Sequence, residues 1–405
     1  MEVFVARQPI FDRNRQVWGY ELLFRSGAAQ TKFDGTEASS ATRQVISNSM
    51  LAIGLDTLLQ GKQALINFGR EMVLQDWYST LPKGSTIIEL TEDIEPDGEV
   101  MAAVRGMREQ GYRIALDDFQ SSPRMDPLIQ MANMIKVEMQ TPKTQQEVMI
   151  REFHSRGIRM LSEKVETDSD YRWALNAGYD YFQGYFFARP LVVKGKQIPA
   201  NKLQCLELLQ EAHRPEVDFT RLTSLISRDV SFSYKLLRYA NSARFGRTTE
   251  IQSIRRALVM LGECGIRKWI AIAALPAIAG DKPRELITQS LVRGRFCELL
   301  AQASGQGNED QAFLVGLFSM LDALLDRPLE DALGELGLAL PLDSVLRGQA
   351  PDDSVLNRIY KLVRHYEVAD WDEVERLAGH LGTPTAQVGA AYREALPWAD
   401  EMARA

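Results

Sequence analysis

The sequence predicts two domains of different class, a parallel β/α fold in its first half and a mainly α-helical fold in its second. Three observations carry this. Short apolar runs of strand length recur between residues 17 and 183, each bearing or ending on a polar side chain. Segments with helical spacing of apolar residues lie between them, such as 102–110 and 171–177, the alternation expected of β/α units. After Arg189-Pro190 comes a short polar stretch, 193–199, with Gly195 and Pro199, beyond which the strand pattern stops.

Taken in order, the run 17–23 carries Glu21, 64–66 ends at Asn67, and 86–90 carries Glu89 and is followed by Glu92. The stretch 111–119 turns abruptly from apolar residues to two adjacent carboxylates, Asp117 and Asp118. Lys136 lies within 134–137, Glu163 follows 158–161, and Gln183 follows 179–182. In a closed β/α barrel the chemistry sits where strands end and loops begin, so these residues are expected to converge on one mouth. From residue 201 the spacing is helical almost throughout: Leu203, Leu206 and Leu209, then Leu222, Leu225 and Ile226, then Leu236, Leu237 and Ala240. The expected domains are 1–194 and 198–405.

Composition excludes several classes. The 405 residues carry a net charge of −7 and a sequence pI of about 5.4, which argues against a general nucleic-acid or anionic-membrane binder. Cys205, Cys264 and Cys297 are odd in number and widely spaced. They form neither a disulfide framework nor a zinc motif, and a cytoplasmic setting is expected. The N-terminus has Glu2 and Arg7 breaking its apolar run, unlike a signal peptide. The longest apolar stretch, 269–279, contains Pro276 and is too short to span a bilayer.

Two neighbouring carboxylates at the end of a buried strand are costly unless a cation, a raised pKa or a basic partner compensates them. Glu21, Asn67, Glu89, Asp117, Asp118 and Glu163 offer only oxygen ligands, which suit hard cations such as Mg²⁺ or Mn²⁺ rather than zinc. Five carboxylates exceed the needs of one ion and suggest a two-metal site for attack of water on a phosphodiester. Lys136 would offset phosphate charge or orient the water, and Arg25 would hold phosphate by paired hydrogen bonds. The plain alternative is a set of solvated acids on strand-end loops.

At this point a resemblance becomes specific. Gln8-Pro9-Ile10 with Tyr20-Glu21-Leu22-Leu23-Phe24-Arg25, then Ile66-Asn67, Ile88-Glu89-Leu90-Thr91-Glu92 and Asp117-Asp118-Phe119 follow in order. Ile135-Lys136-Val137-Glu138, Ser162-Glu163-Lys164-Val165-Glu166-Thr167 and Gln183-Gly184-Tyr185-Phe186 through Pro190 complete the series. This half resembles the EAL family of bacterial cyclic-di-GMP phosphodiesterases, with Leu22 in place of the signature alanine. The resemblance implies a TIM-like barrel that cuts cyclic-di-GMP to linear pGpG. It implies Glu21, Asn67, Glu89, Asp117, Asp118 and Glu163 as metal ligands for Mg²⁺ or Mn²⁺, and Lys136 with Glu163 as the catalytic pair. Arg25, Gln183 and Glu166 are implied as substrate-binding residues. Three departures stand out: 120–126 replaces the family's glycine-rich loop, Gly69 stands in place of a serine, and Glu138 in place of an aspartate.

The second half resembles an HDOD domain through 226–243 and 251–262, a helical relative of the HD phosphohydrolases. No His-Asp dipeptide occurs, and His154, His213, His365 and His380 are scattered, so no cofactor is expected there. Arg244, Arg247, Arg255, Arg256, Arg267 and Lys268 lie close in sequence and read as a solvated surface before an anion-contacting face. The apolar run 269–279 reads as core. The resulting expectation is a cyclic-di-GMP signalling protein whose barrel binds the dinucleotide and divalent metal with weak or no hydrolysis. Its HDOD half would relay the state to a protein partner, and a homodimer is compatible. The alternative is an active Mg²⁺- or Mn²⁺-dependent phosphodiesterase.

Overall fold

The computed structural model describes residues 3–26, 55–117, 123–184, 200–214, 216–242, 251–280 and 282–404. By packing, the chain divides into two compact units.

The first unit contains a closed barrel of eight strands: β1 (Val3–Asp12), β2 (Val17–Ser26), β3 (Gln63–Phe68), β4 (Thr86–Leu90), β5 (Arg113–Leu116), β6 (Met134–Glu138), β7 (Arg159–Glu163) and β8 (Tyr181–Phe182). Strands β2 to β8 run parallel, as the recurring β/α pattern predicts, whereas β1 is antiparallel to both of its neighbours. The connecting helices begin where local chemistry starts them. Asp97 accepts from the amides of Glu99 and Val100 and opens the helix Gly98–Glu109. Thr167 and Asp170 form a reciprocal capping box at the start of Asp168–Ala177, satisfying two amides that the helix itself leaves unpaired.

The barrel interior has one apolar layer, formed by Ile10, Leu65, Ile87, Ala115, Met134 and Leu161, against which Trp18 and Tyr181 pack. Successive side chains of a strand point to opposite faces. The next residue on the interior face is therefore two positions away. From Leu65 that position is Asn67, from Ile87 it is Glu89, from Ala115 it is Asp117, and from Met134 it is Lys136. From Leu161 and Tyr181 it is Glu163 and Gln183. Because β1 runs the other way, the same step from Ile10 leads back to Gln8.

Residues Arg364–Ala378 and Pro384–Arg393 also belong to the first unit, although the strand and helix pattern assigns everything beyond 198 to the helical domain. The buried Tyr366 phenol donates to the Val5 carbonyl of β1 at 3.0 Å, and its ring packs on Trp371 and Tyr392. Helical periodicity shows which face of a helix is apolar but not which partner covers it.

The second unit comprises Pro190–Val363, Gly379–Thr383 and Glu394–Ala405 and is helical throughout its described residues. Asp218, Asp229 and Asn308 cap the helices Phe219–Ser227, Val230–Ala240 and Glu309–Phe318. The helices Arg284–Ser304 and Glu309–Phe318 approach closely where Gly316 faces Arg293 and Gly294, leaving no room for a Cβ. The apolar run 269–279 lies in the helix Ile254–Ala279, which bends at Gly262, and is mostly buried. Of the histidines, His213 is buried in this unit, whereas His154 and His365 pair with Asp180 and Asp370. Among the described residues no helix is long and apolar enough to cross a membrane.

Candidate functional site

The polar layer of the barrel closes around one cation. Lys136 is 1% exposed, and its Nζ lies 2.8 Å from Glu163 Oε1, 2.9 Å from Asp117 Oδ1 and 3.6 Å from Glu21 Oε2. It also pairs with Glu89 Oε1, the carboxylate of a fully buried side chain. Asn67 Nδ2 donates to Glu21 Oε1 at 3.0 Å and Gln183 Nε2 to Glu21 Oε2 at 2.7 Å. Gln183 Nε2 also reaches Gln8 Oε1 at 3.1 Å. Both oxygens of Glu21 are thus held by neighbouring amides, one from β3 and one from the residue after β8.

Four carboxylates share one ammonium, so the pocket carries more negative charge than it neutralises. Two of them have their carboxyl pKa raised. Burial, reinforced by the fields of Glu21, Asp117 and Glu163, pushes the Glu89 carboxyl well above the usual range despite Lys136. Burial likewise raises Glu163 to about 7, against the opposing pull of Lys136. For Lys136 burial favours the neutral amine, but the combined field of Glu21, Glu89, Glu163 and Asp117 outweighs it and holds the pKa well above its ordinary value.

The residue types fit a hard divalent cation. Asn67 Oδ1, Glu89 Oε2 and Gln183 Oε1 are buried and make no hydrogen bond, and an orphaned buried acceptor is expensive unless something positive reaches it. Among the described residues no three acids close on a common point as a cation cage. They turn instead to Lys136.

Of the residues expected at the site, Glu21, Asn67, Glu89, Asp117, Lys136, Glu163 and Gln183 come together. Glu166 is exposed, beyond β7, in contrast to that buried cluster. Asp118, the loop that follows it and the Arg25 side chain lie outside the described residues. Gln8 is a member of the cluster that sequence reasoning left without a role. Its signal was its motif, Gln8-Pro9-Ile10, and its register: Gln8 pairs directly with Glu21 across β1 and β2. Two of the altered positions show their consequences. Gly69 stands at the start of the helix Arg70–Leu74 with no side chain to cap it, and Glu138 forms an ion pair with Lys164 at the rim.

Comparison with known proteins gives consistent matches. A family model described as EAL domain matches residues 72–190, and one described as HDOD domain matches 198–325. Glu21 and Asn67 precede the first of these matches. The cyclic di-GMP phosphodiesterase CdgJ of Vibrio cholerae is 33% identical over 405 residues, covering 99% of this chain and 93% of that protein. The uncharacterized protein YuxH of Bacillus subtilis is 31% identical over 411 residues and 99% of both chains. Among solved structures, a calcium and cyclic-diGMP complex of Klebsiella pneumoniae BlrP1 is 24% identical over 47% of this chain and 56% of that chain, with a TM-score of 0.39.

Proposed function

The chain belongs to the family of two-domain EAL–HDOD proteins, and on that premise we propose that its barrel binds cyclic-di-GMP with divalent cations and hydrolyses one phosphodiester bond to give linear pGpG. The observation that carries this reading is the polar layer itself. Glu21, Glu89, Asp117 and Glu163 meet around Lys136, Asn67 and Gln183 bond Glu21, and Asn67, Glu89 and Gln183 each keep one buried acceptor oxygen without a hydrogen bond. The full-length relative named a cyclic di-GMP phosphodiesterase points the same way.

Glu21, Asn67, Glu89 and Asp117 would hold the cations, with Mg²⁺ or Mn²⁺ matching their oxygen donors. When bound, such ions supply positive charge to the phosphodiester oxygens. Glu163, with a carboxyl titrating near 7, is suited to take the proton of the attacking water at one carboxylate oxygen. Lys136 remains protonated beside it and keeps the base oriented. The water oxygen joins phosphorus, the bond from phosphorus to the 3′ oxygen breaks, and that oxygen leaves with a proton from solvent.

A second reading has specific support in the changed positions. Gly69 leaves its helix uncapped, Glu138 is tied to Lys164, and such supporting residues tune metal affinity by ~10–100-fold. On this reading the barrel binds the dinucleotide with weak or no turnover, and the HDOD half relays the state to a protein partner.

Incubation of the purified chain with cyclic-di-GMP and Mn²⁺, with binding followed by calorimetry and product by chromatography, separates the two. Turnover that disappears in Glu21→Ala establishes the hydrolase. Binding without turnover makes the barrel a receptor, and neither binding nor turnover removes both readings.

A further inference from the structure

The helical unit contains a cavity of about 1200 Å³ that the barrel chemistry does not use. Its floor is one face of the helix Ile254–Ala279: Trp269, Ile272, Ala273 and Pro276 all line it, a spacing of three, four and seven residues that places them on a single stripe. The remainder of that apolar run, including Ile270, Ala271, Ala274 and Leu275, is buried on the other side. Of this stripe Trp269 is buried, whereas Ile272 and Ala273 are half-buried and Pro276 is exposed, so its open part is 272–276.

The walls are pre-organised and aromatic. Trp269 is held edge-on by Phe232 at 6.2 Å. Trp398 is held edge-on by Phe313 at 5.9 Å and lies under the Arg295 guanidinium at 5.8 Å. Tyr234, 63% exposed, stands at the mouth on the helix Val230–Ala240. Asn241 pins the rim by bonding Ile251 in both directions, at 2.8 and 2.7 Å. Pro276 lies inside this helix and has no amide hydrogen to give to the Ile272 carbonyl.

The charge around this space is mainly positive. Lys235, Arg238 and Arg404 line it against one acid, Glu401. Lys268 also lines it but is already paired with Glu298. Aromatic walls and lining cations match one ligand chemistry: a flat ring attached to phosphate. We infer that this cavity is a binding site for a nucleotide, its base lying against the Tyr234 and Trp398 side and its phosphates meeting Lys235, Arg238 and Arg404. An acidic helix from a partner protein is the rival occupant. The floor stripe spans eight residues, about 10 Å from first to last, which suits a nucleotide and is short for a docked helix. The volume is just above the roughly 300–1000 Å³ usual for small-molecule sites.

The test titrates the full chain with GTP, ATP and UTP, and with inorganic tripolyphosphate as a control without a ring, by calorimetry and tryptophan fluorescence. At least one nucleotide is expected to bind with a Kd below about 1 mM, with tripolyphosphate at least tenfold weaker. The double change Lys235→Glu with Arg238→Glu is expected to weaken binding at least tenfold, and Ala273→Trp, which fills the floor, to abolish it. Should Ala273→Trp fail to fold, the surface double variant decides alone. No nucleotide binding, equal binding of tripolyphosphate, or binding indifferent to the double variant overturns the assignment. So does an acidic amphipathic Leu/Glu peptide that binds this face while nucleotides do not.

Discussion

Asn67 donates its Nδ2 to Glu21 Oε1 across 3.0 Å, and in doing so leaves its own Oδ1 buried without a partner. The amide thus fixes a carboxylate and presents an acceptor to the same space. Asn67→Ala is expected to weaken Mn²⁺ affinity by about tenfold or more, read by calorimetric titration of the full chain. Unchanged affinity would remove Asn67 from the cation site.

Lys136 and the four acids around it form one electrostatic unit. Lys136→Met should destabilise the barrel by about 3–5 kcal/mol, because it leaves buried carboxylates without their cation. Divalent cation should restore part of the loss by supplying charge to the same oxygens. Thermal unfolding with EDTA and with Mn²⁺ measures both effects, and an equal loss under the two conditions would show that the acids do not bind the ion.

Gly184 has a φ of 148°, and a Cβ there would run into the Val165 backbone. The preceding carbonyl, that of Gln183, accepts from the Val165 amide at 3.0 Å, so the close approach seats Gln183 against Glu21. Gly184→Ala is expected to cost more than about 1 kcal/mol in urea unfolding and to lower ligand affinity. Wild-type stability in that variant would contradict the packing.

His213 is buried, and burial holds its pKa down, at about 4. Its Nδ1 lies 2.8 Å from the Leu209 carbonyl and its Nε2 has no hydrogen-bond partner. Because the folded pKa is below the unfolded value of about 6.5, the folded state binds fewer protons between the two. Its contribution to stability is complete above pH 6.5 and is lost as pH falls towards 4. At pH 5 this amounts to about 2 kcal/mol relative to pH 7.5. Denaturant titrations of the parent and His213→Gln should differ in slope over that interval, and parallel curves would refute the assignment.

Tyr366 joins the C-terminal helices of the first unit to β1 through Val5. Removing only its hydroxyl, in Tyr366→Phe, should cost about 1 kcal/mol while leaving the ring contacts with Trp371 and Tyr392. Hydrogen exchange should then speed up within residues 364–378 and 384–393 as well as in β1. Faster exchange confined to β1 would show that those helices do not depend on the contact.

The parallel strands β2 to β8, the class of each half and the polar residues at those strand ends were legible in the sequence alone, whereas the antiparallel strand β1 was not. The reason is geometric: a strand has period two, so Leu65 with Asn67 and Ile87 with Glu89 necessarily share a face, and a closed barrel turns that face inward. Tertiary structure decided the rest. It alone made Lys136 the hub of four acids and seated Gln8 beside Gln183. It also returned Tyr366 to the barrel, 361 residues along the chain from Val5, and opened a cavity along Trp269, Ile272, Ala273 and Pro276, where the apolar run reads as core. Each of these depends on contacts between distant segments. Local periodicity specifies the face a residue occupies, and only closure of the fold specifies what that face meets.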